Sequence, residues 1–320
     1  MANSSPEPLR LGISSCLLGE PVRFDGNHKR DAYILGTLGR HFEFVDRCPE
    51  VAIGLGVPRP TIRLSGDPEA PRAIGVRDSS LDVTDDLNRY SAAAVRELPP
   101  LCGYILKSKS PSCGMERVRI YREGPGQPRQ GRGLFAAALM QAHPNLPVEE
   151  EGRLGDPDLR DNFLERVFAY RRWQELTADE LTAARLQEFH RIHKLSLMAH
   201  GQEHYRRLGR RIAAIGRESD LEQAAEAYFA DFMASLRHQA TPRRHANVLM
   251  HLMGYLKRAI DSDDKAELLE VIDGQRLGLL PLSVPLALLK HHFRRHPNAY
   301  VADQVYLNPY PAELLVREGR

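Results

Sequence analysis

The period of the hydrophobic pattern changes partway along this chain, and no other feature restricts its fold as much. Up to about residue 175, short apolar runs alternate with amphipathic ones. Leu9, Leu11 and Ile13, then Phe42 to Val45, then Tyr104, Ile105 and Leu106 read as strands, each bounded by polar, Gly or Pro residues. Asp31 to Gly39 and Thr84 to Leu98 read as helices between them, the second with Thr84 as N-cap of an Ala-rich run. A Gly-rich turn at Gly131 to Gly133 leads into a helix from Leu134 to His143, and another runs from about Leu159 to Trp173. Such alternation predicts an α/β domain with a mostly parallel sheet over residues 1–175. From about Thr177 onward the period is 3.6, without strand signals, over 178–215, 220–238, 244–261, 264–277 and 283–295. An all-α helical domain is therefore expected over residues 176–320, and the length suffices for two separate cores.

Composition removes several classes. No apolar run approaches the roughly 20 residues that cross a bilayer, and a mean hydropathy of −0.41 with 27% charged residues is that of a globular chain. Met1 to Arg10 is polar and Ser/Pro-containing, without the basic and apolar regions of an export signal, so a cytoplasmic location and no membrane partner are expected. Four cysteines in such a compartment do not make a disulfide framework.

Three of them share a placement. Cys16 in Ser-Ser-Cys-Leu-Leu-Gly, Cys48 in Cys-Pro-Glu and Cys113 in Ser-Pro-Ser-Cys-Gly each fall within a few residues after an expected strand. In open α/β sheets the carboxyl ends of the strands border the ligand crevice, so three distant thiols can converge there. Ordinary buried cysteines are the plain alternative, but Gly19, Pro49, Pro111 and Gly114 belong to turns rather than core strands. Zinc is a second alternative, although the close Cys pairs typical of structural zinc are absent. A three-thiolate site suits a [4Fe-4S] cluster whose fourth iron lacks a protein ligand and can act as a Lewis acid. Cys102, at the start of the third strand, reads as a packing residue.

These residues resemble a known family. Ser15-Cys16-Leu17-Leu18-Gly19 with Val22-Arg23-Phe24-Asp25-Gly26, Cys48-Pro49-Glu50-Val51 with Pro58-Arg59, and Leu106-Lys107 with Ser110-Pro111-Ser112-Cys113-Gly114 are similar to the thiouracil desulfidases over roughly residues 9–155. Phe24 stands where that family usually has Tyr, and Ala52-Ile53-Gly54 replaces a more Gly-rich turn. The resemblance implies a non-redox desulfidase with a [4Fe-4S] cluster on Cys16, Cys48 and Cys113, Glu50 as general base for water and Ser110 as second catalytic residue. Arg23, Asp25, Lys107 and Lys109 become substrate-binding candidates.

In the second half, Phe189-His190-Arg191-Ile192-His193-Lys194 and His245-Ala246-Asn247-Val248-Leu249-Met250-His251 resemble a helical domain of formerly unknown function often fused to this unit. Proteins with that fusion resemble desulfidases of 4-thiouridine in tRNA, which implies a tRNA partner. The charges agree: Arg185 to Arg258 holds 13 Lys/Arg against 7 Asp/Glu, and Phe232 to Ile260 holds no acid. Arg206, Arg207, Arg210 and Arg211 form one broad helical face, extended by Arg243 and Arg244, with His190 and Lys194 in the same RNA-binding set and His204, Tyr205, His245 and Tyr255 available to stack on bases. A solvated charged face, or zinc between His190 and His193, are the alternatives. Two other functions remain open: a desulfidase of free thiouracil or thiouridine monophosphate, and a cluster-bearing RNA-binding regulator without turnover. A monomer or homodimer is expected.

Overall fold

The protein is described here by a computed structural model over residues 8–122 and 127–315. Part of the polar N-terminal segment, residues 1–7, lies outside the described residues. The chain forms two compact units: one runs to Arg171 and takes back the segment from Ala312, and the other is Arg172–Pro311.

The strands of the first unit are β1 (Arg10–Ser14), β2 (Glu43–Arg47), β3 (Ile62–Asp67), β4 (Ala70–Gly75), β5 (Gly103–Leu106), β6 (Val118–Tyr121), β7 (Arg129–Gly131) and β8 (Val148–Glu150). Its helices are α1 (Ala32–Gly36), α2 (Pro49–Ala52), α3 (Thr84–Arg96), α4 (Leu134–Ala142) and the long α5 (Pro157–Ala178), within which the two units divide. One sheet is entirely parallel, in the order β2-β1-β5-β8. Its central strands β1 and β5 are buried by cover on both faces, with Leu11, Ile13, Tyr104, Ile105 and Leu106 all fully buried, whereas the edge strands β2 (Glu-Phe-Val-Asp-Arg) and β8 (Val-Glu-Glu) carry charged residues. Phe135, Ala136 and Leu139 of α4 join Tyr104, Leu106, Cys113 and Val148 in one core cluster. The chain leaves β1 toward β2 and later returns to the other side of β1 as β5, so the sheet has a topological switch point at β1.

A second, mixed sheet in the order β4-β3-β6-β7 departs from the expected single sheet. Its strands escape a pattern search: β3 and β4 form a hairpin with Pro71 on the edge strand, and β7 is only Arg-Gln-Gly. Thr84 is likewise inside α3, with Val83 at the cap position; its hydroxyl accepts the Ala73 N–H at 2.9 Å and ties the helix to this sheet.

The second unit is helical: α6 (Ala183–His200), α7 (Gln202–Ala214), α8 (Leu221–Leu236), α9 (Pro242–Leu256), α10 (Ser262–Arg276), α11 (Ser283–Arg295) and the short α12 (Ala299–Ala302). The expected segment 178–215 is broken at residues 179–182 and at Gly201, a weak helix former, while Gly209 is carried inside α7. Thr182, Asp220, Thr241 and Asp261 cap α6, α8, α9 and α10 by accepting N–H groups of the first turn. Trp173 stacks on Phe229 with centroids 4.2 Å apart and meets Phe189 edge-on at 5.4 Å, while Phe232 meets Phe189 at 5.1 Å. A second cluster, around Leu249, Leu252, Leu268 and Leu289, packs α9, α10 and α11 together.

Candidate functional site: three thiols at the sheet switch point

Cys16 lies in the 3-10 turn Ser15–Leu18 directly after β1, Cys48 follows β2 as the residue ahead of α2, and Cys113 lies in the loop after β5. All three line one cavity of about 410 Å³ at the carboxyl edge of the parallel sheet, on both sides of the switch point. None is in a disulfide. The Cys113 loop is fixed by α4: Leu134 N–H donates to Pro111 O at 3.1 Å, and Phe135 and Ala136 donate to Ser112 O at 3.0 and 3.1 Å. Gly133 permits this approach, since a Cβ there would stand 2.5 Å from the Ser112 carbonyl. Cys102 is buried, does not line the cavity, and donates its N–H to Arg10 O at 2.8 Å.

Glu50 is held from two sides. Arg59 donates Nε and Nη2 to Glu50 Oε2 at 3.0 and 2.8 Å, and Ser112 Oγ donates to Oε1 at 2.9 Å. The Arg59 side chain is 3% exposed and its Nη1 donates to Val22 O and Gly56 O, so the guanidinium is pinned. Ser110 Oγ accepts the N–H groups of Ser112 and Cys113 at 3.2 and 3.1 Å; with its lone pairs engaged, its proton is what it can offer inside the cavity. Lys107 also lines the cavity, its Nζ bonded to Glu151 and to Ser108. Lys109 lines it in the left-handed region at φ 61°. Arg23 lines it with its guanidinium over Phe24 at 5.4 Å, whereas Asp25 stands outside the lining, 3.6 Å from Arg23.

Sequence reading gave no role to Arg59, Ser112, Arg47 or Lys29, which line or support the same cavity. Only Arg59 left a trace, as part of the Pro58-Arg59 pair. Six of the lining residues are basic (Arg23, Lys29, Arg47, Arg59, Lys107, Lys109) against the single carboxylate of Glu50, which suits anionic contents.

Burial pushes the Cys16 thiol up to about 11 despite the nearby Lys107, and it raises Cys48 and Cys113 as well. Such thiols stay protonated near neutral pH and are poor nucleophiles. Metal ligation would discharge their protons. Among the described residues no three His, Cys, Asp or Glu side chains form a one-ion site. A zinc ion draws its thiolates to about 2.3 Å, whereas a cluster gives each thiolate its own iron and spans a wider triangle. The donor set fits the cluster: three thiols and no fourth cysteine in the lining, with cations around them. Ser14 adds to it, accepting the Lys107 N–H at 3.0 Å and hydrogen-bonding the Cys113 sulfur.

In the helical unit, His190 corrects the expected RNA-binding set. It is buried, its Nδ1 3.0 Å from the Tyr228 hydroxyl, so it belongs to the core rather than to a surface. His193 is buried too, with Nδ1 2.8 Å from Phe189 O, and the two do not form a zinc site. The arginine face is divided: Arg207 and Arg211 pair with Asp231 at 3.6 and 3.0 Å, while Arg206 and Arg210 are exposed. Arg243 is exposed, and Arg244 donates to His200 O at 2.9 Å. Lys194 is half-buried against the Tyr205 ring.

Burial and then Lys194 lower the His190 pKa from 6.5 to about 4. Between those values the unfolded chain takes up a proton that the folded one refuses, so stability falls as pH drops through this window. From neutral pH to about pH 5 the loss is about 2 kcal/mol. Urea unfolding of the native chain is expected to show this slope and His190→Gln to flatten it; equal slopes would remove His190 as its source.

Residues 11–151 match the family model described as 2-thiouracil desulfurase, and residues 194–311 match that of a protein of unknown function, DUF1722. The uncharacterized protein YbgA of Escherichia coli (strain K12) is 36% identical over 159 residues, which are 50% of this chain and 94% of that protein. A solved structure of a [4Fe-4S]-dependent thiouracil desulfidase, TudS, is 32% identical, covers 46% of this chain and 94% of that chain, and has a TM-score of 0.35. Residues 11–151 thus form a unit of the 2-thiouracil desulfurase family, and a DUF1722 unit follows it over residues 194–311. The chain is thus a desulfidase. Among the described residues no helix is long and apolar enough to cross a membrane.

Proposed function

We propose that this chain removes sulfur from 4-thiouridine in tRNA, in the cytoplasm, with a [4Fe-4S] cluster on Cys16, Cys48 and Cys113. The convergence of these three thiols with Glu50 in one basic cavity carries this reading. The balance is hydrolytic: the oxygen of water replaces sulfur at the thiocarbonyl carbon, sulfide leaves, and nothing is oxidised or reduced. When bound, the cluster supplies a Lewis-acidic iron that polarises the carbon–sulfur bond. Glu50 takes the proton of the attacking water on Oε1, while Arg59 fixes the carboxylate through Oε2. Ser110 donates its hydroxyl to the pyrimidine, and Lys107, Lys109 and Arg23 meet negative charge on the substrate.

The RNA part rests on the second unit. Arg206, Arg210 and Arg243 are exposed and offer phosphate contacts, and the stretch from Phe232 to Ile260 is free of acids. A free thiopyrimidine is the second reading, favoured by a cavity formed within the first unit alone. Cutting the chain near residue 175 does not separate the two, because it also removes Leu314, whose carbonyl accepts the Tyr33 hydroxyl at 2.7 Å. The full-length reconstituted enzyme does: kcat/KM on 4-thiouridine tRNA is expected to exceed that on free 4-thiouridine or 2-thiouracil by about a hundredfold. Equal or better turnover of the free compounds makes the second reading the right one.

A further inference from the structure

We propose that the exposed face of α9 around Gly254 is a stacking site for unpaired nucleotides of an RNA partner. It rests on the RNA reading above and gives that reading a location other than the arginine face of α7. Met250, His251, Gly254, Tyr255, Lys257 and Arg258 line an open groove of about 600 Å³ there. Met250 and Tyr255, 42% and 39% exposed, put large apolar surface into solvent between cations.

The aromatic side of this groove is braced from behind. The Tyr255 ring stacks on Tyr300 of α12 at 5.5 Å, and His251 meets Tyr255 edge-on at 5.6 Å. Arg191 lies over the other ring of the pair, 6.0 Å from the Tyr300 centroid, and is itself held by Glu188 and Asp303. Lys194 of α6 sits 5.8 Å over Tyr205 of α7, with Tyr300 and Tyr255 close enough to act on its charge. Helices α6, α7, α9 and α12 thus bring a set of tyrosines together with cations beside them, and Tyr255 at its edge is 39% exposed.

Gly254 supplies an independent observation. It lies in the last turns of α9, and a Cβ built there would meet nothing within 4 Å. Packing therefore does not require glycine, which inside a helix costs about 1 kcal/mol relative to alanine. What its missing side chain does provide is an open floor beside Tyr255, where a flat group can approach the helix. The charge decides the kind of occupant. Arg243 is two turns before Met250 and on the same helical face; Lys257 and Arg258 follow directly after the helix and line the groove, and no acid occurs between Phe232 and Ile260. Bases stack on exposed aromatics while flanking cations take the phosphates, which is how single-stranded RNA is held without reading its sequence.

The test uses the full-length protein, a short fluorescent oligouridylate and a blunt RNA duplex, with binding read by anisotropy. Tyr255→Ala removes the stacking face. Gly254→Leu fills the floor with a better helix former, so its far-UV circular dichroism is expected to match the native chain. Each variant is expected to bind the oligouridylate about tenfold more weakly and the duplex as before. Native affinity in both variants overturns the groove and leaves the RNA reading standing, and so does an equal loss on oligouridylate and duplex. If the native chain binds neither RNA, the groove and the RNA reading fall together.

Discussion

Glu50→Gln is expected to lower sulfide release from 4-thiouridine by about 10²- to 10⁴-fold, the range of a positioned general base, with KM nearly unchanged. The substitution is close to isosteric. A glutamine oxygen at the Oε2 position still accepts from Arg59 Nε and Nη2, so the guanidinium keeps its place beside Val22 and Gly56. What disappears is the proton acceptor at Oε1, beside Ser112 Oγ. Single-turnover sulfide release together with the melting temperature separates chemistry from folding. A loss below tenfold in a well-folded variant would exclude Glu50 as the base.

Arg59→Met is expected to be the most destabilising single change at the site, by about 3–5 kcal/mol, because it strands a carboxylate that is mostly out of water. The Glu50 side chain is 14% exposed and accepts two of its three hydrogen bonds from Arg59. The loss also reaches the chain around the cavity, since Arg59 Nη1 ties Val22 O at 2.8 Å and Gly56 O at 3.1 Å. Combined with Glu50→Gln, the same substitution is expected to cost less than the two single changes added, since no unpaired carboxylate is left. Urea unfolding of the four proteins measures this coupling. Strict additivity would mean that the pair is not what holds this corner of the cavity.

How much of this was legible in the sequence follows from how local each signal is. Of the strands that lead to Cys16, Cys48 and Cys113, β1 and β5 are short, mostly apolar runs and Phe44 and Val45 mark β2, and they form the parallel sheet that brings the thiols together. The second sheet left no such trace, because Arg63, Ser65, Arg72 and Arg119 interrupt its strands and its pairing joins residues as distant as Leu64 and Ile120. At the site, cysteine in turn-rich surroundings was a readable signal. The clamp of Arg59 and Ser112 on Glu50 was not, since it closes across 9 and 62 residues. His190 misled for the opposite reason: it falls in a motif rich in His, Arg and Lys, yet its helical position points it at Tyr228 in the core. The arginine face of α7 was foreseen as one surface, but Asp231 of the following helix claims half of it.

The central claim is that Cys16, Cys48 and Cys113 together hold the group that breaks the carbon–sulfur bond. It is tested most directly by anaerobic reconstitution with iron and sulfide, followed by iron content and sulfide release from thiolated tRNA for the native chain and for Cys113→Ala. The account predicts a loaded, active native protein and a variant that has lost both full cluster content and turnover; equal content and equal turnover in the variant would contradict it.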